Sequence, residues 1–165
     1  MQKQTINIEA FRKAMGNYPT GVTVVTTFDQ ENQPVGLTVN SFASLSLEPL
    51  MVLWSIDHGS NSLDAFNFTD KFAVHILAEN QSTLAREFAV SKEDKFENVE
   101  WEASANSLPV LKDVLSVLEC KVHDKIVAGD HTIMIGEVID IQNTEKNPLL
   151  YHRRVLGPIP EEFYE

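Results

Sequence analysis

Two long β-rich runs, residues 115–127 and 131–141, are separated only by Ala128-Gly129-Asp130, and this pairing constrains the fold more than any other feature of the chain. So short a break, built of turn formers, closes a hairpin and leaves no room for a crossover connection, so the two runs pair antiparallel. The same arrangement recurs upstream. Val22-Thr23-Val24-Val25-Thr26-Thr27-Phe28 is rich in β-branched residues, 29–33 is a polar turn, and 34–41 resumes an apolar run, which together read as a second hairpin. Residues 50–56, with Trp54 inside, and 71–78 read as further strands, and 149–151 as a last short one.

Helical patterns are inserted among the strands rather than alternating with them. Asn7 is an N-cap for a short amphipathic helix with Ile8, Phe11 and Met15 on one face. Leu63 and Phe66 mark a second helix, which Ser60 or Asn61 would cap, and Leu84 and Phe88 mark a third over 82–88. The segment 90–106 is polar and acidic without a sustained period, a surface excursion in which Trp101 signals packing onto something. Six or more strands joined mainly by hairpins predict a mainly β chain, an antiparallel barrel rather than a doubly wound sheet. No GxGxxG or GxxxxGK[ST] loop is present to cradle a dinucleotide or a nucleoside triphosphate, and there is no GxSxG.

The 165 residues suffice for a single domain with a sizeable core. With 13 basic and 24 acidic side chains the formal charge is −11, so the long-range field repels nucleic acid and anionic membrane, and neither is an expected partner. A phosphate-bearing ligand must then be held by local groups. Cys120 is the only cysteine, which excludes an intrachain disulfide and a cysteine-built zinc site and fits a reducing cytoplasm. In its alternating context it reads as a small hydrophobe. No stretch is long and apolar enough to span a bilayer.

The chemistry-bearing residues fall in four places. Gly36-Leu37-Thr38-Val39-Asn40-Ser41-Phe42-Ala43-Ser44-Leu45-Ser46 breaks a strand pattern into a row of small hydroxyl and amide side chains, which suits the edge of a flat polar ligand or, more plainly, a Ser/Thr-rich turn. Gly59-Ser60-Asn61-Ser62 is an anion site or an ordinary helix cap. Arg153 and Arg154 are a bidentate anion clamp or a solvated basic pair. His131 begins a strand at a barrel rim, where it meets a ligand or serves the surface. His75 alternates with Ala73 and Leu77 and reads as partly buried with satisfied nitrogens, and no histidine has metal-ligand spacing.

Taken in order, several segments carry a resemblance. They are Phe11-Arg12-Lys13-Ala14-Met15, Pro19-Thr20-Gly21-Val22-Thr23-Val24-Val25-Thr26-Thr27, the 36–44 row, Phe88-Ala89, Leu118-Glu119-Cys120, Gly129-Asp130-His131 with Gly136-Glu137-Val138, and Pro148-Leu149-Leu150-Tyr151. Over residues 8–157 the chain resembles the flavin reductase-like family, small reductases that supply reduced flavin to two-component monooxygenases.

The resemblance implies a Greek-key split β-barrel, the FMN-binding split barrel, which forms a homodimer with flavin near the subunit interface. It implies hydride transfer from NADH or NADPH to FMN or FAD, and a partner flavin-dependent monooxygenase. Carried over by position, Thr38, Asn40 and Ser41 meet the isoalloxazine and ribityl region, and Ser44 and Ser46 lie near that path. Ser60 meets the phosphate, with Ser62 and Arg153 as further candidates. Phe88 and Ala89 border the site, and His131 places the nicotinamide. His75 departs from the asparagine of many relatives, and Glu48-Pro49-Leu50 has one proline where two are common. A non-catalytic flavoprotein and a split-barrel module for another ligand are the competing readings.

Overall fold

The structure, a computed structural model, describes residues 5–92 and 94–164. Helix α1 (Ile8–Gly16) is followed by β1 (Thr20–Gly21), β2 (Thr23–Phe28), β3 (Pro34–Val39), β4 (Ala43–Leu47) and β5 (Leu50–Asp57). Then come α2 (Leu63–Phe68), β6 (Lys71–Ile76), α3 (Ser82–Ala89), β7 (Trp101–Ala103), β8 (Pro109–Leu111), β9 (Ser116–Ala128), β10 (His131–Asn143), β11 (Leu149–His152) and β12 (Val155–Pro158). The three longest hairpins, β2–β3, β4–β5 and β9–β10, join with β6 into one seven-stranded antiparallel sheet in the order β3-β2-β6-β9-β10-β5-β4. Although β6 follows β5 in the chain, it lies between β2 and β9, and this crossover by way of α2 makes the topology a Greek key. The fold is a mainly β split barrel with inserted and flanking helices, as the sequence predicts.

Two cores divide the molecule. Inside the barrel, Trp54 packs edge-to-face on Phe66 and Phe72, with ring centroids 4.9 and 5.8 Å apart, among Val25, Val52, Ile56, Val74, Cys120 and Met134. Outside it, α3 and the small β7–β8 sheet cover the other face of β2 and β6 around Val24, Leu77, Phe88, Phe96, Leu108 and Leu111. Strands β2 and β6 are therefore buried on both faces, which is why their sequences run apolar and β-branched without alternating.

Two glycines permit this packing. An added Cβ at Gly136 on β10 would collide with the Phe72 ring, and one at Gly36 on β3 would stand 2.8 Å from the Phe88 ring. Strand β10 also carries two bulges against β9, at Ile135/Gly136 and Val138/Asp140, which curve it around the core.

Several expectations are refined. Asn7 caps α1 as predicted, its Oδ1 accepting from Ala10 N at 2.8 Å. The cap of α2 is Ser62, not Ser60 or Asn61. The excursion at 90–106 is not featureless: Trp101 begins β7 and continues an aromatic chain through Phe96 to Phe88, at 5.7 and 5.0 Å. His75 is wholly buried rather than partly so. Its Nδ1–H donates to Val24 O (3.0 Å) and its Nε2 accepts from Leu111 N (3.1 Å), a pairing that requires the neutral ring. Burial outweighs the Val24 bond and lowers its pKa from 6.5 to about 4.

Candidate functional site

The small-residue row spans the end of β3 and the length of β4, and its members have different duties. The Thr38 hydroxyl donates to Ala85 O at 2.7 Å, so it fastens α3 to β3 instead of offering its proton to a ligand. Lys95 adds a second fastening. Its half-buried ammonium donates to Gly36 O (3.2 Å) and Phe88 O (3.1 Å), and burial lowers its pKa. The Ser41 hydroxyl accepts from Ser55 N (3.0 Å) and donates to Ser55 O (3.3 Å), tying the row to β5. Asn40 and Ser44 are exposed and make no side-chain hydrogen bond among the described residues, so their donors and acceptors are free. Ser46 accepts from Glu48 N at 3.3 Å, which leaves its own O–H available.

Phe88 and Ala89 separate. Phe88 is fully buried against Phe96 and Gly36 in the outer core, while Ala89 lines a cavity of about 330 Å³ with Thr38, Asn40, Arg86, Tyr151 and Arg154. Of the two residues expected to border the site, Phe88 packs into the outer core and only Ala89 lines this cavity.

At the far end of β5 a second group assembles. His131 stands in register with Asp57, so the Gly129-Asp130 turn and the 57–62 loop are neighbours across the β5–β10 pair. Two bonds join the segments, His58 N to Asp130 O (2.9 Å) and His58 Nε2 to Thr132 Oγ1 (3.0 Å), and two more, Gly59 N to Asp57 Oδ1 (2.6 Å) and Ser60 N to Asp57 O (3.0 Å), tighten the loop itself. Gly129 has φ +63°, the left-handed turn conformation that glycine adopts without cost. His131 Nδ1 lies 2.7 Å from Asp130 Oδ1, and this hydrogen bond, followed by one from the backbone of Asp130 itself, lowers the Asp130 pKa. An ionised carboxylate only accepts, so Nδ1 carries a proton, and Nε2 makes no hydrogen bond among the described residues.

The Ser60 hydroxyl accepts from Ser62 N at 3.2 Å and keeps its O–H. Helix α2 has only six residues, and Ser62 makes no side-chain cap bond, so little macrodipole supports an anion there. Ser60 is half-buried and Ser62 is buried, so an anion held by this loop rests first on the Ser60 hydroxyl. Arg153 does not join them among the described residues. Its Nε and Nη2 donate to Asn17 Oδ1 at 3.1 and 2.7 Å, tying the β11–β12 turn to the end of α1. It lines a wider cleft of about 1030 Å³ together with Asn40, Arg154 and residues of α1.

The tertiary structure thus links several, not all, of the predicted residues into one ridge. It runs from the cavity at Ala89 and Asn40 through Ser41, which is bonded to Ser55, to Asp57 and His131. The free groups on it are neutral donors and acceptors with a histidine at one end and arginines at the other. That set suits a flat heterocycle with a phosphate tail better than it suits a metal, and no group of three metal-ligating side chains exists among the described residues. Cys120 is not part of it, since burial first and then the Glu119 charge push its thiol up to about 12. Sequence reading missed Arg86, Lys95 and Tyr151. Arg86 carries no local signal except its place on the polar side of α3, between Leu84 and Phe88.

Comparison with known proteins agrees with this architecture. The Flavin reductase like domain matches residues 15–160. The chain is 40% identical over 154 residues to the FMN reductase (NADH) SmoA of Agrobacterium fabrum, covering 92% of this chain and 86% of that one. It is 38% identical over 146 residues to the reductase component of the flavin-dependent trigonelline monooxygenase of Acinetobacter baylyi, covering 88% of this chain and 47% of that one. Against the NADH:FAD oxidoreductase SgcE6 of Streptomyces globisporus, solved with NAD and FAD fragments, the TM-score is 0.88 at 31% identity, covering 96% and 98% of the two chains. The chain spans about half the length of several of its curated relatives. A family match over residues 15–160, together with 40% identity to a relative covered over 86% of its length, shows that the chain belongs to the flavin reductase-like domain family.

Proposed function

We propose that this chain is an NAD(P)H:flavin oxidoreductase that passes hydride from a nicotinamide to FMN or FAD and delivers reduced flavin to a flavin-dependent monooxygenase. The observation that carries the reading is the ridge from Asn40, whose amide is exposed and unbonded among the described residues, through the Ser41–Ser55 bonds to His131, in register with Asp57. The names of SmoA, SgcE6 and the trigonelline reductase component support it. Flavin supplies the hydride acceptor, so the protein needs no carboxylate acid or base and contributes orientation.

Asn40 and the Ser44 and Ser46 hydroxyls hold the ring edge, and Ser41, through its bonds to Ser55, keeps that wall rigid. Ser60 gives the phosphate a neutral O–H donor, with the buried Ser62 behind it. Asp130 fixes the His131 tautomer so that Nε2 accepts from a carboxamide N–H, which orients the nicotinamide. These small side chains leave room for two stacked rings.

The working form we propose is a homodimer. Helix α1 is amphipathic yet buries none of its residues, and Leu47 and Val127 are 86% and 71% exposed. The test of function is direct: purified protein, NADH and FMN in air, with absorbance of NADH followed. Flavin-dependent loss of NADH supports the reductase. A yellow protein without turnover, or one that takes up no flavin, overturns it.

A further inference from the structure

The cavity of about 330 Å³ beside α3 contains a charge arrangement that the reading above leaves unused. Arg86 from α3 and Arg154 from the β11–β12 turn, on separate elements, line the same space with Thr38, Asn40, Tyr151 and Leu156, and no carboxylate is among its lining residues. Neither guanidinium makes a hydrogen bond or an ion pair among the described residues, whereas Arg153 beside them is bonded to Asn17. In a chain of formal charge −11, two uncompensated arginines at one cavity mark a local positive site.

A second observation comes from the backbone. The two-residue turn between β11 and β12 places both Arg153 (φ +49°) and Arg154 (φ +67°) in the left-handed region, which Asn-Gly occupies without strain. Arg154 makes no bond within the described chain that would explain its place there.

We propose that Arg86 and Arg154 clamp the diphosphate of an adenosine diphosphate group, the half that NADH and FAD share and that FMN lacks. Guanidinium forks pair bidentately with phosphoryl oxygens, and two forks from separate elements match two linked phosphates. The apolar side of the cavity, Tyr151 and Leu156, is the wall for the nucleoside. A volume of about 330 Å³ falls within the range of small-molecule sites, and the cavity shares Asn40, Tyr151 and Arg154 with the wider cleft along α1. Asn40 also begins the proposed flavin ridge, so a dinucleotide anchored here points its redox end toward that ridge. This inference rests on the reductase reading for its substrates, but not for the anion site itself.

The probe that separates the two is ADP. Calorimetric titration of the flavin-free protein with ADP is expected to show binding that weakens about tenfold or more in the Arg86→Gln/Arg154→Gln double variant. Arg154→Gly relieves the left-handed strain, so it is expected to raise Tm while losing ADP affinity, which a merely structural arginine would not do. In turnover, a KM rise for NADH without one for reduced nicotinamide mononucleotide assigns the clamp to the nicotinamide dinucleotide. Weakened FAD with unchanged FMN assigns it to flavin. No ADP binding to the parent protein, or equal binding in both variants, overturns the clamp. A parent protein that binds ADP yet never oxidises NADH overturns the reductase reading and leaves the clamp standing.

Discussion

The two walls of the barrel obey different rules. On β2 and β6 nearly every residue is buried, and the polar groups are consumed internally: Thr23 bonds Val39 O, Thr26 bonds Pro109 O and His75 bridges β2 to β8. On β5 and β10, burial alternates along the strand, with Trp54, Ile56 and Met134 inward. Their hairpin neighbours and outer positions leave Leu47, Leu50, Val127, Ile139 and Ile141 in solvent. The first wall is finished within one chain. The second leaves these apolar side chains in solvent and carries His131 at the start of β10, so truncations of the first wall are expected to cost more stability, and the contacts with other molecules proposed above are expected to use the second.

The largest expected effect tests that division of stability. Phe72→Ala on β6 removes a fully buried ring that touches Trp54, and a loss of about 3–5 kcal/mol is expected in urea unfolding, against under about 1 kcal/mol for Ile139→Ala on β10. Equal losses would erase the contrast.

Next in size is an acid limb belonging to His75. Its folded pKa is near 4 and its ordinary value is 6.5, so between these pH values the unfolded chain binds the proton and the folded chain does not. Stability then falls as the pH drops through that window, by about 3 kcal/mol in all, and the contribution is constant above it. Unfolding at a series of pH values should show this slope, and His75→Asn should flatten it.

On the open wall, Val127→Asp with Ile139→Asp is expected to halve the mass seen by light scattering, weakening association about tenfold or more with circular dichroism unchanged. A parent protein already monomeric would break that side of the comparison. The smallest effect concerns the rim. His131→Ala is expected to raise the KM for NADH by roughly tenfold while FMN affinity changes by less than about twofold. Equal losses of both would remove His131 from the nicotinamide.

Much of the barrel was legible because its signals are local. A Gly-Asp turn between two β runs closes β9–β10, a polar turn closes β2–β3, and Asn7 caps α1 through a bond to a residue three positions away. Short elements were not legible. Three residues of β7, three of β8 and four of β12 carry too little pattern to register, and β7 exists because Trp101 packs on Phe28 and Phe96. The site divides similarly. The row from Thr38 to Ser46 announces itself by composition, but which of its hydroxyls are free depends on Ala85 and Ser55.

By itself the sequence determined the antiparallel hairpins, the family and the residue types able to hold a flat polar ligand, because turn chemistry, β propensity and side-chain chemistry act over a few neighbouring positions. Only the tertiary structure decided that Thr38 fastens a helix, that Phe88 faces the core, that His75 is buried and neutral, and that Arg86 meets Arg154 across a cavity. Each of those depends on segments tens of residues apart being brought together by burial, and nothing in a local pattern records which distant partner a side chain will find.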